Sequence, residues 1–324
     1  MAWGSSNWGT GYWGTGGGAP TFQTGTTASV SRASDNFRGG AEITIATAGG
    51  LLDPAFDTQN LSGWADDSSG GGSTALVTSG RAMRLTASGV PGGVARRVNP
   101  IASFQSFDAR VTVVPEGPLQ LFGSGEIEVA SFEVVFSGGC VARCRIVRSG
   151  TQASNVFLGV ADAGSNCGAI LPGATPLTAD EVSGGVELQI VRHSCHLRIL
   201  VGGREIVRDN RYTPPSEDAG FRVQTTGRAA SATVSNFNIT GHALIGGRLL
   251  VNKQVLSPRR MTGVIPAATL FDVGPVVVQV FGLGVRADVP GAFSYTLPTG
   301  QTIGRDSGGR VISYTDGQLR DGDE

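Results

Sequence analysis

The sequence predicts an all-β protein, and three observations carry that expectation. Glycine supplies 50 of the 324 residues and charged side chains only 16%, against roughly 25% charged residues in an ordinary globular domain. Short stretches of alternating apolar and polar residues recur along the chain, separated by Gly-Gly, Gly-Arg and Pro-containing steps. That is the pattern of strands joined by tight turns. No stretch keeps a helical apolar stripe for more than about two turns. The net charge of −1 argues against non-specific nucleic-acid binding and against a polybasic membrane contact. No run approaches the roughly 18 apolar residues that a membrane-spanning helix needs. Neither nucleic acid nor membrane insertion is expected.

The first 28 residues are low-complexity. In AWGSSNWGTGYWGTGGG, Trp3, Trp8 and Trp13 recur every five residues, each followed by glycine, with Tyr12 beside the third. So flexible a segment cannot bury an indole by itself. The aromatics are expected to dock either on a neighbouring subunit or back on the chain's own domain, each indole burying roughly 150–250 Å². Residues 29–50 form a short β connector, with alternation over Ser29–Arg32 and in AEITIAT, where Ile43 and Ile45 share one face.

Residues 51–242 read as one β domain. RAMRLTA, FDARVTVV, EIEVASFEVVF, CRIVR, VELQIVR, HLRILV, GFRVQTT and ATVSNFNITG follow in turn. In VELQIVR, Val186, Leu188 and Ile190 face one way while Glu187 and Gln189 face the other. VGGRE carries a hairpin turn. The apolar phase slips between Val234 and Phe237, which predicts a bulge. Residues 243–324 contain GGRLLVNKQV, GPVVVQVFGLGV, GAFSYTL and GRVISYTDG, four further strands of a small C-terminal β domain or extension.

The order of these segments resembles the concanavalin A-like lectin/glucanase jelly roll. LDPAFDTQNLSGW opens it, the VELQIVRHSCHLRILVGGREI hairpin comes late, and ATVSNFNITG resembles the closing strand. The resemblance implies two antiparallel sheets packed face to face. The opening Trp/Gly segment, which lacks the basic and apolar regions of a secretory signal, adds a second resemblance, to virion proteins of tailed bacteriophages. It implies a tail-tip, fibre or decoration protein on the virion, made in the host cytoplasm. Such a protein is docked on other virion subunits through Trp3, Trp8, Tyr12 and Trp13, and a homo-oligomer, with a trimer favoured, is expected. The alternatives are a bacterial carbohydrate-binding or adhesin module and, less favoured, a glycoside hydrolase of the same fold.

Four constellations could carry chemistry. Glucanases of the resembled fold place two catalytic glutamates on one strand as Glu-x-Asp-x-Glu or Glu-x-Asp-x-x-Glu. Here Glu126 and Glu128 take the first two slots, but Ala130 or Ser131 stands where the second glutamate belongs. Glu133, seven residues on, falls on the opposite face of a straight strand, roughly 23 Å away at 3.3 Å per residue. A solvated acidic face and no catalytic residues are therefore expected, and the chain is not expected to be an enzyme.

Cys140 and Cys144 lie too far apart along a strand to pair, while Cys144 and Cys195 both point to the core. A cross-strand or inter-sheet contact between Cys144 and Cys195 is geometrically reasonable; buried free thiols, one or two disulfides among Cys140, Cys144, Cys167 and Cys195, and a zinc site with His193 and His196 all remain open. No cofactor is required; calcium is the one candidate, with Asp66, Asp67 and Asp162 in acidic, Gly-rich turns as ligands. Binding of a host-surface polysaccharide would draw on Trp64, Asn155, Asn166 and Tyr212, with Trp64 equally suited to anchoring the core.

Overall fold

The computed structural model describes residues 23–24, 28–47, 51, 64–77, 82–87, 93–103, 106–116, 127–136, 140–149, 156–163, 173–193, 196–209, 218–226, 230–269, 272–282, 285–298, 301–305, 311–315 and 318–320. The chain divides into two compact units, one formed by 1–21 with 53–240 and the other by 22–52 with 241–324. The first strands are β1 (Gln23–Thr24), β2 (Ala28–Val30), β3 (Ser34–Asn36) and β4 (Glu42–Thr47). The central part supplies β5 (Ala65–Asp66), β6 (Ser73–Val77), β7 (Ala82–Thr86), β8 (Val94–Ser103), β9 (Ser106–Glu116), β10 (Ile127–Phe136) and β11 (Cys140–Ser149). It continues with β12 (Val156–Ala163), β13 (Gly173–Pro176), the short helix α1 (Ala179–Gly184), β14 (Val186–His193) and β15 (His196–Val201). Strands β16 (Arg204–Asp209), β17 (Asp218–Thr226) and β18 (Ser231–Thr240) close it.

The central unit is a jelly-roll sandwich, as the sequence predicts. One seven-stranded sheet runs β13-β12-β11-β10-β17-β8-β5 and the other β16-β15-β14-β9-β18-β7-β6. Period-two alternation decides which side chains meet between them. On β9, Phe107, Ala109, Val111 and Val113 are buried against Val186, Leu188 and Ile190 of β14. At the centre Phe107, Phe132, Phe221 and Phe237 pack with ring centroids 5.4–6.2 Å apart. Trp64 closes the cluster edge-on to Phe237 at 4.8 Å. Each such pair contributes about 0.5–1.5 kcal/mol beyond the area that it buries.

The bulge predicted in ATVSNFNIT is present. The register of β18 on β9 shifts between Ser235 and Asn238, and Asn236 takes φ 53°. The extra residue lets both Val234 and Phe237 face the core. The β15–β16 hairpin turns through Gly202 and Gly203 at φ 54° and 75°, values that suit the right-handed twist of a two-residue turn. The helix is a single capped turn: Thr178 accepts from Glu181 N, and the Glu181 carboxylate accepts from Thr178 N.

The second unit continues with β19 (His242–Ile245), β20 (Arg248–Leu249), β21 (Val251–Ser257), β22 (Arg260–Val264), β23 (Gly274–Phe281) and β24 (Val285–Thr296). A three-stranded sheet of β25 (Gln301–Arg305), β26 (Val311–Thr315) and β27 (Gln318–Arg320) follows. The segment read from sequence as a connector contributes strands to this unit. Strand β4 lies between β2 and β22 in a four-stranded sheet, and β3 pairs with β24 in parallel. Ile43 and Ile45 of β4, which the alternation places on one face, join Met261, Val280, Phe293 and Tyr295 in a single apolar cluster. The chain leaves this unit after Leu52 and re-enters at Gly241, whose N–H donates to Leu51 O at 2.8 Å. The jelly roll is thus an insertion within a discontinuous unit.

Replacing Ile45 by Ala should destabilise the second unit by about 2–5 kcal/mol, the usual cost of truncating a buried isoleucine. Hydrogen exchange on the intact chain checks this: protection should fall in β22 and β4 and stay unchanged in β9 and β14.

Candidate functional site

The site grows from a second bulge. Along β10, Glu128 pairs with Val147 of β11, but Ala130 pairs with Ile146, so one residue is added at Val129. Strict alternation would put Glu128 on one face, and Ser131 and Glu133 on the other. The added residue resets the parity. Ala130, Phe132 and Val134 face the core, while Glu128, Ser131 and Glu133 share the outer face of the sheet. The expectation of a solvated acidic face is corrected here, because Glu133 is 0% exposed.

Neighbouring strands bring arginines and a glutamine to the same face. In register, Ser131 stands between Arg145 of β11 and Gln224 of β17, and Gln224 stands opposite Arg96 of β8. Two residues along, Glu133 stands between Arg143 and Arg222, and Arg143 pairs with Asp162 of β12. A belt of hydrogen bonds and ion pairs results. Arg222 donates to Glu133 Oε2 through Nε at 2.6 Å and through its terminal amino group. Gln224 Nε2 and Ser131 Oγ each donate to Glu133 Oε1 at 2.9 Å. Arg96 Nε donates to Gln224 Oε1 at 2.9 Å, and its terminal amino group reaches Asp67 at 3.0 Å. At the other end, Arg143 Nε and Arg145 grip the two oxygens of Asp162, each at 2.6 Å.

Charge explains why Glu133 tolerates complete burial. A desolvated carboxylate is costly unless it is paired and its remaining lone pairs are filled, and three side chains fill them. Glu128 forms an ion pair with Arg145 at 3.6 Å. Burial and then the Glu133 charge push its carboxyl above the ordinary glutamate range, against the pull of Arg143 and Arg145 and a hydrogen bond with Ser131.

The other residues singled out from sequence fall in several places. Trp64 is 2% exposed and serves as a core anchor, so it presents no stacking surface to a sugar. Asp66 accepts from Ser68 N at 3.0 Å and from Thr74 Oγ1 at 2.7 Å. Burial pushes its carboxyl up, but these bonds and the Arg97 charge outweigh that and hold it below the usual range. Asp66 and Asp162 lie on β5 and β12, with β8, β17, β10 and β11 between them in the sheet. Each of the three candidate calcium ligands instead faces arginine: Asp66 Arg97, Asp67 Arg96, and Asp162 both Arg143 and Arg145. Among the described residues no group of three or more His, Cys, Asp or Glu is placed to hold a metal ion.

Cys140 is disulfide-bonded, whereas Cys144 is a buried free thiol, pushed up by desolvation. A Cys144–Cys195 disulfide is thereby excluded. Cys167, Cys195, Asn155, Asn166, Tyr212, Glu126 and the aromatics Trp3, Trp8, Tyr12 and Trp13 lie outside the described residues. Sequence reasoning missed Arg96, Arg143, Arg145, Arg222 and Gln224. Their signal was the polar phase of CVARCRIVR and FRVQTT, which reads as ordinary solvated alternation until the register aligns the strands.

The central unit is a jelly-roll β-sandwich of two seven-stranded sheets, with the belt on the outer face of one of them. No known protein family matches the sequence, and no curated protein matches it. Similar solved structures include the carbohydrate-binding module CBM66 from Bacillus subtilis, at 13% identity and TM-score 0.36 over 56% of this chain and 97% of that one. A galectin-like protein of unknown function from Bacillus subtilis matches at 9% identity and TM-score 0.39, over 56% and 90%. SCLam, a non-specific endo-β-1,3(4)-glucanase from family GH16, matches at 13% and 0.36, over 66% and 90%. The expectation that the chain is not an enzyme is corrected by this comparison. It includes that glucanase and also alginate lyases such as AlyC3, at 11% identity. At such distances these likenesses assign this chain no activity and no ligand.

Two outcomes test the energetics of the belt. Arg222→Met leaves the Glu133 charge buried without its cation and should cost about 3–5 kcal/mol in urea unfolding. The double variant Glu133→Leu/Arg222→Met should recover most of that loss. An acid whose folded-state pKa is raised loses stability as pH climbs from its unfolded value through its folded one. Glu128→Gln should therefore melt above the parent at neutral pH, with the difference vanishing as pH falls below the usual glutamate range. Parallel melting profiles would contradict the assignment.

Proposed function

We propose that this chain binds a polysaccharide across the outer face of the β10-containing sheet. The observation that carries this reading is the belt itself. Donors and acceptors alternate across β12, β11, β10, β17 and β8, a width of about 19 Å at 4.8 Å per strand. Sugar hydroxyls both donate and accept, and side chains already locked by hydrogen bonds lose little entropy on meeting them. The interior of the belt is buried and its ends are partly open: Arg143 is 32% exposed at one end and Asp67 56% at the other. On this reading the buried centre fixes the geometry, and the end groups make the contacts.

A finer form of the proposal places the module on a tailed-bacteriophage virion, where the polysaccharide belongs to a host surface. It rests on the sequence of the opening segment, with Trp3, Trp8, Tyr12 and Trp13 docking on neighbouring subunits of a homo-oligomer. Immunogold labelling of particles released from the producing cells tests it. Gold on tails or capsids supports the finer form, and unlabelled particles with labelled cell surfaces leave a bacterial adhesin.

The binding proposal is tested with the intact chain on a broad array of surface polysaccharides. Specific retention by at least one glycan is expected. The doubly substituted Arg96→Met/Arg143→Met chain should bind it at least tenfold more weakly with an unchanged circular dichroism spectrum. Absence of binding across the array, or equal binding by the variant, would overturn the assignment.

A further inference from the structure

We infer that the β11–β12 end of the belt receives a carboxylate from the ligand, so that the polysaccharide is an anionic one built from uronic acid units. This inference rests on the polysaccharide reading above and deepens it. Its basis is the set of guanidinium donors that the ion pairs at this end leave unused. Asp162 is one carboxylate shared by two guanidinium groups, with Arg143 Nε on Oδ1 and Arg145 on Oδ2, both at 2.6 Å. The nearest further acid on that end, Glu128, stands 3.6 Å from Arg145, beyond hydrogen-bond range. Glu133, across from Arg143 in the register, already accepts from Arg222, Gln224 and Ser131.

Donors remain over after these contacts. Arg143 spends only Nε on Asp162, and among the described residues its two terminal amino groups have no hydrogen-bond partner. At 32% exposure that edge is open to solvent. The Nε of Arg145 is buried with no hydrogen-bond partner among the described residues. A planar guanidinium edge with two free N–H groups matches a carboxylate bidentately, which a single hydroxyl cannot do.

The intact chain is titrated calorimetrically with two oligouronates, an α-linked oligogalacturonate and a β-linked oligomannuronate. Each is paired with its own carboxyl-reduced product, which keeps linkage and length and loses only the charge. At least one oligouronate should bind tenfold or more tightly than its reduced partner, with an advantage that shrinks as salt rises. Arg143→Gln should abolish the preference and Arg143→Lys should keep part of it, because lysine retains the charge without the fork. Equal or tighter binding of the reduced sugars, or of neutral polysaccharides alone, overturns the inference and leaves the polysaccharide reading standing. A preference unchanged in Arg143→Gln overturns the siting. No binding by any acidic or neutral glycan overturns both.

Discussion

The central unit depends on four phenylalanines that must meet between two sheets. Phe107 comes from β9, Phe132 from β10, Phe221 from β17 and Phe237 from β18, two pairs of consecutive strands far apart in sequence. For all four to face inward, each strand must hold its alternation in the right phase, since a slip of one residue exchanges every inward side chain for an outward one. Two strands do not keep phase unaided, and each carries a bulge where it would fail. At Ser235–Asn238 the bulge brings Phe237 inward beside Val234. At Glu128–Ala130 it keeps Ala130, Phe132 and Val134 inward. The polar belt is the consequence on the other side of the same strand. The packing demand that turns Phe132 in also turns Glu128, Ser131 and Glu133 out onto one face.

The belt shows how a sheet carries a buried charge on its outer surface. Flanking arginines in register cover Glu133, because their stems lie along the sheet while their guanidinium groups point at it. Such an arrangement adds little net stability over apolar side chains of the same size. What it supplies is fixed geometry, since every member of the centre is held by at least one neighbour on an adjacent strand. The ends are different, with partly exposed arginines that keep unused donors. A rigid centre with open ends suits recognition of an extended polymer better than of a small compact ligand.

The second unit imposes a different constraint. Its two chain segments are separated by the whole jelly roll, and β4 cannot pair with β22 until 212 intervening residues, Ala48 to Arg259, have been bypassed. Closing so long a loop is slow and entropically costly before any contact offsets it. Within this unit the two segments meet where the Gly241 N–H donates to Leu51 O.

By itself the sequence determined the all-β class, the β18 bulge, the shared face of Ile43 and Ile45, and the hairpin at Gly202–Gly203. These features are local: alternation, glycine conformation and turn chemistry act over two to ten residues. Tertiary structure alone decided the rest. The β10 bulge left no trace in EIEVASFEV, because an unbroken strand and a bulged one share the same composition there. Without it, Glu133 reads as standing apart from its neighbours on a solvated face. The arginines of the belt were invisible for a related reason. Arg96, Arg143, Arg145 and Arg222 each look like a routine outward residue, and only the register that sets β8, β11 and β17 around β10 makes them one site. The placement of β4 in the second unit was equally hidden, since nothing in AEITIAT names a partner more than 200 residues away. Local pattern fixes which face of a strand is apolar; which strands share that face is settled by long-range pairing.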